Sequence, residues 1–281
     1  DPLWSRGLGD VYKRQLYYNQ DLFDKAKIAY PTNDWSYADF KSAAEKLTQK
    51  AADGSSSVYG CALPNTQTWW AGIGGAGDKV YDPSNGSLVI GDGAASFVTD
   101  CRDMVKKGIM PAPSSDTADL FAAGKAAMSW QGSWTIGTYG GKLPFNWDIA
   151  TIPTNKVKYN TLHTGFYTIN AKSKNQDAAF KVIEYLMGED GQSINSKASG
   201  NPSAIKSIAE KGAWKVESAK TIENWDAVTD SLKAGVFGYT CLPSGVTNNA
   251  VSEFSAALQG QKTPKEAVDN ALKYAKETIG T

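Results

Sequence analysis

The stretch "DTADLFAAGKAAMSWQGSW" (residues 116–134) decides how this chain is read. Its first half has helical character, and Gly124 supplies a tight turn. Ala126 to Ser129 then form a short apolar run of strand length, and a loop follows in which Trp130 and Trp134 bracket Gln131, Gly132 and Ser133. Helix, glycine turn, buried strand and aromatic loop in that order are the unit of an α/β protein. The aromatics sit beside glycine, amide and hydroxyl groups. Flat rings can cover the C–H faces of a sugar while such polar groups bond its hydroxyl rim.

Upstream, the same alternation continues. Leu16–Tyr18 read as the end of a strand, and "NQDLFDKA" as a short helix. "PTNDWSYADFKSAAEKLTQKAADG" reads as a helix capped by Ser36 with Asp39 at the third helical position and stopped by Gly54. Its Phe40, Ala44, Leu47 and Ala51 recur at helical spacing. "VYGCALP" predicts a buried strand, "TWWAGIGGAG" the start of a helix, and "DPSNGSLVIGDG" a turn around a short strand pair. Ala94–Lys107 predicts a helix closed by Gly108.

Downstream, "FNWDIATIPTN" and "TGFYTIN" predict strands, and "NQDAAFKVIEYLMGEDGQSINSKAS" predicts two helices. Residues 204–281 read as almost all helical, interrupted by "TCLPSGVTNN".

Composition narrows the function. The 281 residues are 41% hydrophobic and 21% charged with zero net charge, which leaves no electrostatic footprint for nucleic acid or an anionic membrane. No run of about 18 apolar residues is present to span a bilayer. Nine Trp and thirteen Tyr suit a binding surface, although most aromatics in any domain are core.

Catalytic patterns are missing from the sequence. His163 is the only histidine, no G-x-S-x-G or G-x-x-x-x-G-K-[ST] occurs, and the three cysteines lack metal-type spacing. The sequence thus predicts no catalytic residue, no metal and no cofactor. Its carboxylates read as charges on solvated helix faces. Cys101 falls on an apolar helix face with Phe97, Val98, Met104 and Val105, and reads as a buried inert thiol. A disulfide among Cys61, Cys101 and Cys241 is open outside the cytoplasm, with no pair preferred.

The opening "DPLWSRGLGDVYKRQ" (residues 1–15) fits none of this. It lacks the apolar run of a signal peptide, and Gly7 and Gly9 break a helix. Back-translated, it resembles the transposon adapter used in preparing DNA for short-read sequencing. Residues 1–15 are therefore expected to be a non-native tail without tertiary contacts, with the native sequence resuming at Leu16.

Taken in order, "LYYNQDLFDKA", "PTNDWSYADF", "FAAGKAAMSWQGSW", "NWDIATIP" and "SKNQDAAFKVIEYLMGEDGQ" resemble the successive motifs of extracellular solute-binding proteins of carbohydrate ABC transporters, the family typified by maltose-binding protein. The resemblance implies an α/β, periplasmic-binding-protein-like fold of two lobes, with ligand captured between them by hinge closure. It implies a nearly complete second lobe from residues 16–150 and 208–281, and a remaining piece of a mostly missing first lobe at 154–207. Trp134 matches the family's sugar-stacking aromatic, Trp69 and Trp70 fall near another ligand-facing stretch, and Gly165 and Tyr167 match a cleft-facing strand start. With Trp130 and Gln131 these are the expected ligand-binding residues.

The implied protein is a monomeric, non-enzymatic lipoprotein or periplasmic protein whose partners are a sugar or oligosaccharide and ABC permease subunits. It would meet the membrane only through an N-terminal anchor absent from this sequence. Binding of a polyamine, metal chelate or peptide on the same fold is the alternative, with a carbohydrate-active hydrolase behind it. The chain as written is expected to lack one wall of the site and to leave the helix bearing Phe180, Ile183, Leu186 and Met187 without part of its apolar cover.

Overall fold

The computed structural model describes residues 8–62, 66–113, 119–212 and 214–280. The chain opens with β1 (Leu8–Tyr12), β2 (Arg14–Asn19) and α1 (Gln20–Ala26), whose N-cap Asn19 side chain accepts from the Leu22 N–H. Next, α2 (Tyr37–Leu47) begins at a full capping box between Ser36 and Asp39, as its sequence predicts.

That helix stops at Leu47, not at Gly54. Gln49–Lys50 (β3) instead turns back to pair with Ser56–Val58 (β4), and Gly54, at φ +83°, lies in the turn between them. Of the expected strand "VYGCALP", Val58 ends β4, Tyr59 makes an isolated bridge to Ala126 with its N–H donating to the Lys125 carbonyl, and the Ala62 N–H donates to that of Met128, while residues 63 and 64 lie outside the described residues. The rest of this half is α3 (Thr66–Gly75), the hairpin of β5 (Val80–Asp82) and β6 (Ser87–Val89), and α4 (Asp92–Lys106).

Residues 120–124 form turns where a helix was expected, and lead to β7 (Met128–Gly132), α5 (Thr135–Tyr139) and β8 (Trp147–Thr151). Then come β9 (Asn160–Thr161), β10 (His163–Phe166), α6 (Gln176–Met187), α7 (Glu189–Ser199), α8 (Lys206–Glu210) and α9 (Asp226–Lys233). The chain closes with β11 (Gly235–Val236), a 3-10 turn at Tyr239–Cys241, α10 (Ser244–Leu258) and α11 (Pro264–Ile279). Residues 214–225, 234–243 and 259–263 are not α-helical, so this stretch is less helical than expected, and α10 starts inside the segment expected to interrupt it.

The chain divides into two compact units, each assembled from separate segments. The larger holds the described residues of Arg14–Gln131, Leu143–Thr161 and from Thr221 onward. Its sheet has the order β7-β2-β8, with β2 antiparallel to β8 in the register Leu16↔Ala150 and Tyr18↔Asp148. Every residue of β2 is buried, as befits a central strand covered on both faces. Phe40, Ala44 and Leu47 from α2, Phe97, Val98 and Cys101 from α4, and Phe254 and Ala271 from the last two helices complete one apolar core. Each fully buried large side chain there contributes about 1.5–3 kcal/mol by the area it removes from water.

The smaller unit holds the described residues up to Lys13, with Gly132–Lys142 and Leu162–Lys220. β1 pairs antiparallel with β10, matching Tyr12 to His163 and Leu8 to Phe166. Trp214 is fully buried and donates its Nε1–H to the Ala209 carbonyl (2.9 Å). α6, by contrast, buries none of its side chains, and Phe180 is 59% exposed beside Val182 and Tyr185. This agrees with the poor apolar cover expected for that helix.

Three boundary expectations need correction. Of the expected tail, residues 1–7 lie outside the described residues. Residues 8–15 do make tertiary contacts, because the ladder groups of β8 and β10 are met by the backbone of β1 and β2. Residues 132–142 join the smaller unit, drawn there by the bond from Ser133 to Asn201 and the close approach of Gly140 to Ser218. Residues 154–161 join the larger unit through β9–β11 pairing and the bonds between Asn160 and the Arg14 backbone, while 208–220 stay with the smaller unit around Trp214.

Candidate functional site

In the smaller unit the turn after β7 presents Trp134. Its backbone is pinned at the preceding residue, Ser133. The Ser133 N–H donates to the Lys13 carbonyl (2.9 Å) and the Ser133 hydroxyl to Asn201 Oδ1 (3.0 Å). Asn201 is itself buried, with its carbonyl accepting from the Ser196 hydroxyl (2.5 Å) and its N–H donating to Ser199 Oγ (3.2 Å). Such a satisfied buried network fixes the turn rigidly. Trp134 then occupies the N-cap position of α5, partly exposed. Gly165 lies in β10, half-buried, and Tyr167 just beyond it is 44% exposed.

In the larger unit, Gln131 is half-buried at the end of β7 and donates from Nε2 to the Ser129 hydroxyl (3.0 Å). Three other expected ligand-facing residues of this unit are core instead. Trp69 packs against Phe254 (5.3 Å between ring centroids) and edge-on to Phe97. Trp70 is fully buried and stacks on Tyr239 (5.8 Å, 13°). Trp130 stacks on Phe97 (6.1 Å, 22°) and meets Phe40 at 5.5 Å. A ring whose faces are taken by other rings has no face left for a ligand. The four covering rings come from other elements: Phe40 from α2, Phe97 from α4, Tyr239 from the 3-10 turn and Phe254 from α10.

The sequence reading missed two features of this unit. Asp148 is a carboxylate on β8, not on a helix face, and it is buried. It accepts from the Ile149 N–H (2.7 Å), the Glu223 and Asn224 N–H groups (3.3 and 3.4 Å) and the Tyr18 hydroxyl (3.4 Å). Burial nonetheless holds its pKa above the ordinary carboxylate range. Asn224, in turn, donates from Nδ2 to Asn33 Oδ1 (2.9 Å). The second is Phe237, 40% exposed between Gly235 and Gly238. The aromatic-beside-glycine pattern that singled out Trp134 is present there too.

Among the described residues no group of three or more His, Cys, Asp and Glu could hold a metal ion, and no helix is long and apolar enough to cross a membrane. His163 heads β10 opposite Tyr12. What the site residues offer chemically is aromatic surface, amide and hydroxyl groups, all suited to binding a polar solute that has apolar faces.

Comparison with known proteins agrees. The chain is 24% identical over 286 aligned positions to the galactooligosaccharide-binding protein of Bacillus subtilis, an alignment covering 94% of this chain and 63% of that protein. The chain therefore spans less than two thirds of that relative's length. In structure it is similar to the ABC substrate-binding protein Lmo0181 from Listeria monocytogenes, solved in complex with cycloalternan (TM-score 0.85, 24% identity, covering 98% of this chain and 71% of that one). It is also similar to a solute-binding protein of an ABC transporter from Thermotoga lettingae bound with alpha-D-tagatose (TM-score 0.81, 17% identity, 97% and 71%). The α/β fold is that of these binding proteins. Residues 9–225, most of the chain, match the family of bacterial extracellular solute-binding proteins, and the chain belongs to that family.

Proposed function

We propose that the protein is the substrate-binding component of an ABC importer, one that captures a sugar or oligosaccharide outside the cytoplasm and delivers it to a membrane permease. It works as a monomer without turning its ligand over, either free in the periplasm or lipid-anchored on the outer face of the cell membrane. The observation that carries the reading is Trp134, a partly exposed ring on a turn immobilised by buried hydrogen bonds to Ser133. A rigid aromatic loses little entropy on stacking, so its contact area converts efficiently into affinity. Gln131, Gly165 and Tyr167 are the other residues of this chain assigned to ligand. Recognition of a loaded form by the permease then follows from the ligand's preference for one conformation over another. The sugars named for the similar proteins support the ligand class.

The test is calorimetric titration of the gene product, at the full length of its relatives, against galactooligosaccharides, cyclic glucose oligosaccharides and monosaccharides such as tagatose. Saturable binding without release of reducing ends is expected. Failure to bind any of these sugars, or turnover of one, overturns the reading. Trp134→Ala is expected to weaken binding roughly tenfold or more, since full burial of such a side chain against ligand is worth about 1–3 kcal/mol. The melting temperature should stay within a few degrees. A collapse of stability instead would make Trp134 a core residue.

A further inference from the structure

Two of the three cysteines are brought together by the fold of the larger unit. Cys61 follows β4, and its N–H donates to the Ile109 carbonyl just past α4 (3.3 Å). Cys101 lies in the middle of α4, on the face that carries Phe97, Val98 and Met104 into the core. Both thiols are buried, and both line one cavity of about 20 Å³, together with Tyr37, Met104, Met110 and Trp130. The two thiols thus face one small void and are near enough to act on each other electrostatically, and the flexible Met104 and Met110 beside them can yield as the sulfurs turn. Cys241 lies apart from this cavity lining, exposed in the 3-10 turn.

We propose that Cys61 and Cys101 form a disulfide when the protein matures in an oxidising compartment, stapling the segment after β4 to the middle of α4. The compartment follows from the extracellular family, and the pairing from the shared cavity. The oxidant is a small-molecule or protein disulfide. One cysteine thiolate attacks it, expelling one thiolate and forming a mixed disulfide. The second cysteine thiolate then attacks the protein-side sulfur and expels the other. Two protons leave the cysteines, and two electrons reduce the oxidant to two thiols. Burial pushes the Cys61 thiol up to about 12 and that of Cys101 well above its usual value, so attack takes place while this region is still open during folding. Once closed, the bond is sheltered from reductant.

The experiment is to refold the full chain in a mixture of oxidised and reduced glutathione, alkylate it in denaturant, and map its non-reduced peptides by mass spectrometry. A peptide linking Cys61 to Cys101 is expected, with Cys241 alkylated or glutathionylated. The bridged form should melt roughly 5–10 °C above the reduced form. Cys241→Ser should keep the bridge, while Cys61→Ser should leave Cys101 open to alkylation. The peptides are mapped after denaturation, and circular dichroism before that step shows that each variant has refolded. Alkylation of both Cys61 and Cys101 in the wild-type chain, or any bridge that includes Cys241, overturns the proposal.

Discussion

At the scale of the residue, Asp148 shows what burial does to a charge. Its carboxylate accepts hydrogen bonds from three backbone N–H groups and the Tyr18 hydroxyl, yet removal from water outweighs them and its pKa is raised. A raised folded-state pKa means that the folded protein holds the proton more tightly than the unfolded chain does. The associated stability is therefore fully present below the unfolded pKa and lost as pH rises through the folded one. Asp148→Asn mimics the protonated form and keeps an acceptor oxygen. The variant is expected to melt a few degrees above the wild type at pH 7, with the gap closing as pH falls into the carboxylate range. Thermal melts of both proteins across that range would show this, and a variant less stable at neutral pH would contradict it. No signal in "NWDIATIP" distinguishes this Asp from a surface charge, because what buries it is the segment at Glu223 and Asn224, some 75 residues downstream. Trp69 and Trp70 were misread for the same reason. A tryptophan beside glycines suits a platform or a core equally well, and the rings that cover these two lie up to 185 residues away.

At the scale of the element, local signals were legible and stops were not. Ser36 and Asp39 announce the start of α2 through contacts three residues apart, and both reciprocal bonds are made. The end of α2 depends on pairing between β3 and β4, which competes with helix continuation and wins because Thr48 is already extended. Close packing against this helix also sets Gly60. A Cβ there would fall 1.8 Å from the Ala44 carbonyl oxygen, on rigid helical backbone. Gly60→Ala should therefore lower the melting temperature by about 5 °C or more, in line with the cost of overpacking. Gly54→Ser, at an open turn position, should cost only the strain of its positive φ. Equal melting temperatures for the two variants would show that α2 can shift away from residue 60.

At the scale of the whole molecule, stability is distributed unevenly. α2 sends Phe40, Ala44 and Leu47 into the large core, whereas α6 buries none of its side chains. Local opening needs least free energy where little apolar area is buried. Amides of residues 176–187 should exchange quickly with deuterium while those of 40–47 stay protected, and uniform protection of both would refute this uneven distribution. The α/β class and most helices were readable, since they rest on periodicity and caps. The unit boundaries were not, because they rest on pairs such as Ser133 with Asn201 and Asn160 with Arg14. Those pairs also decide how the chain is threaded. Each unit is sewn from stretches lying before and after stretches of the other, so the polypeptide passes between them repeatedly. A protease that nicks one crossing therefore frees neither unit as a separate piece. After a nick at any of the three inner crossings, near residues 131, 142 and 161, both fragments still hold strands or helices of each unit, so one covalent break leaves each unit held by its own non-covalent contacts.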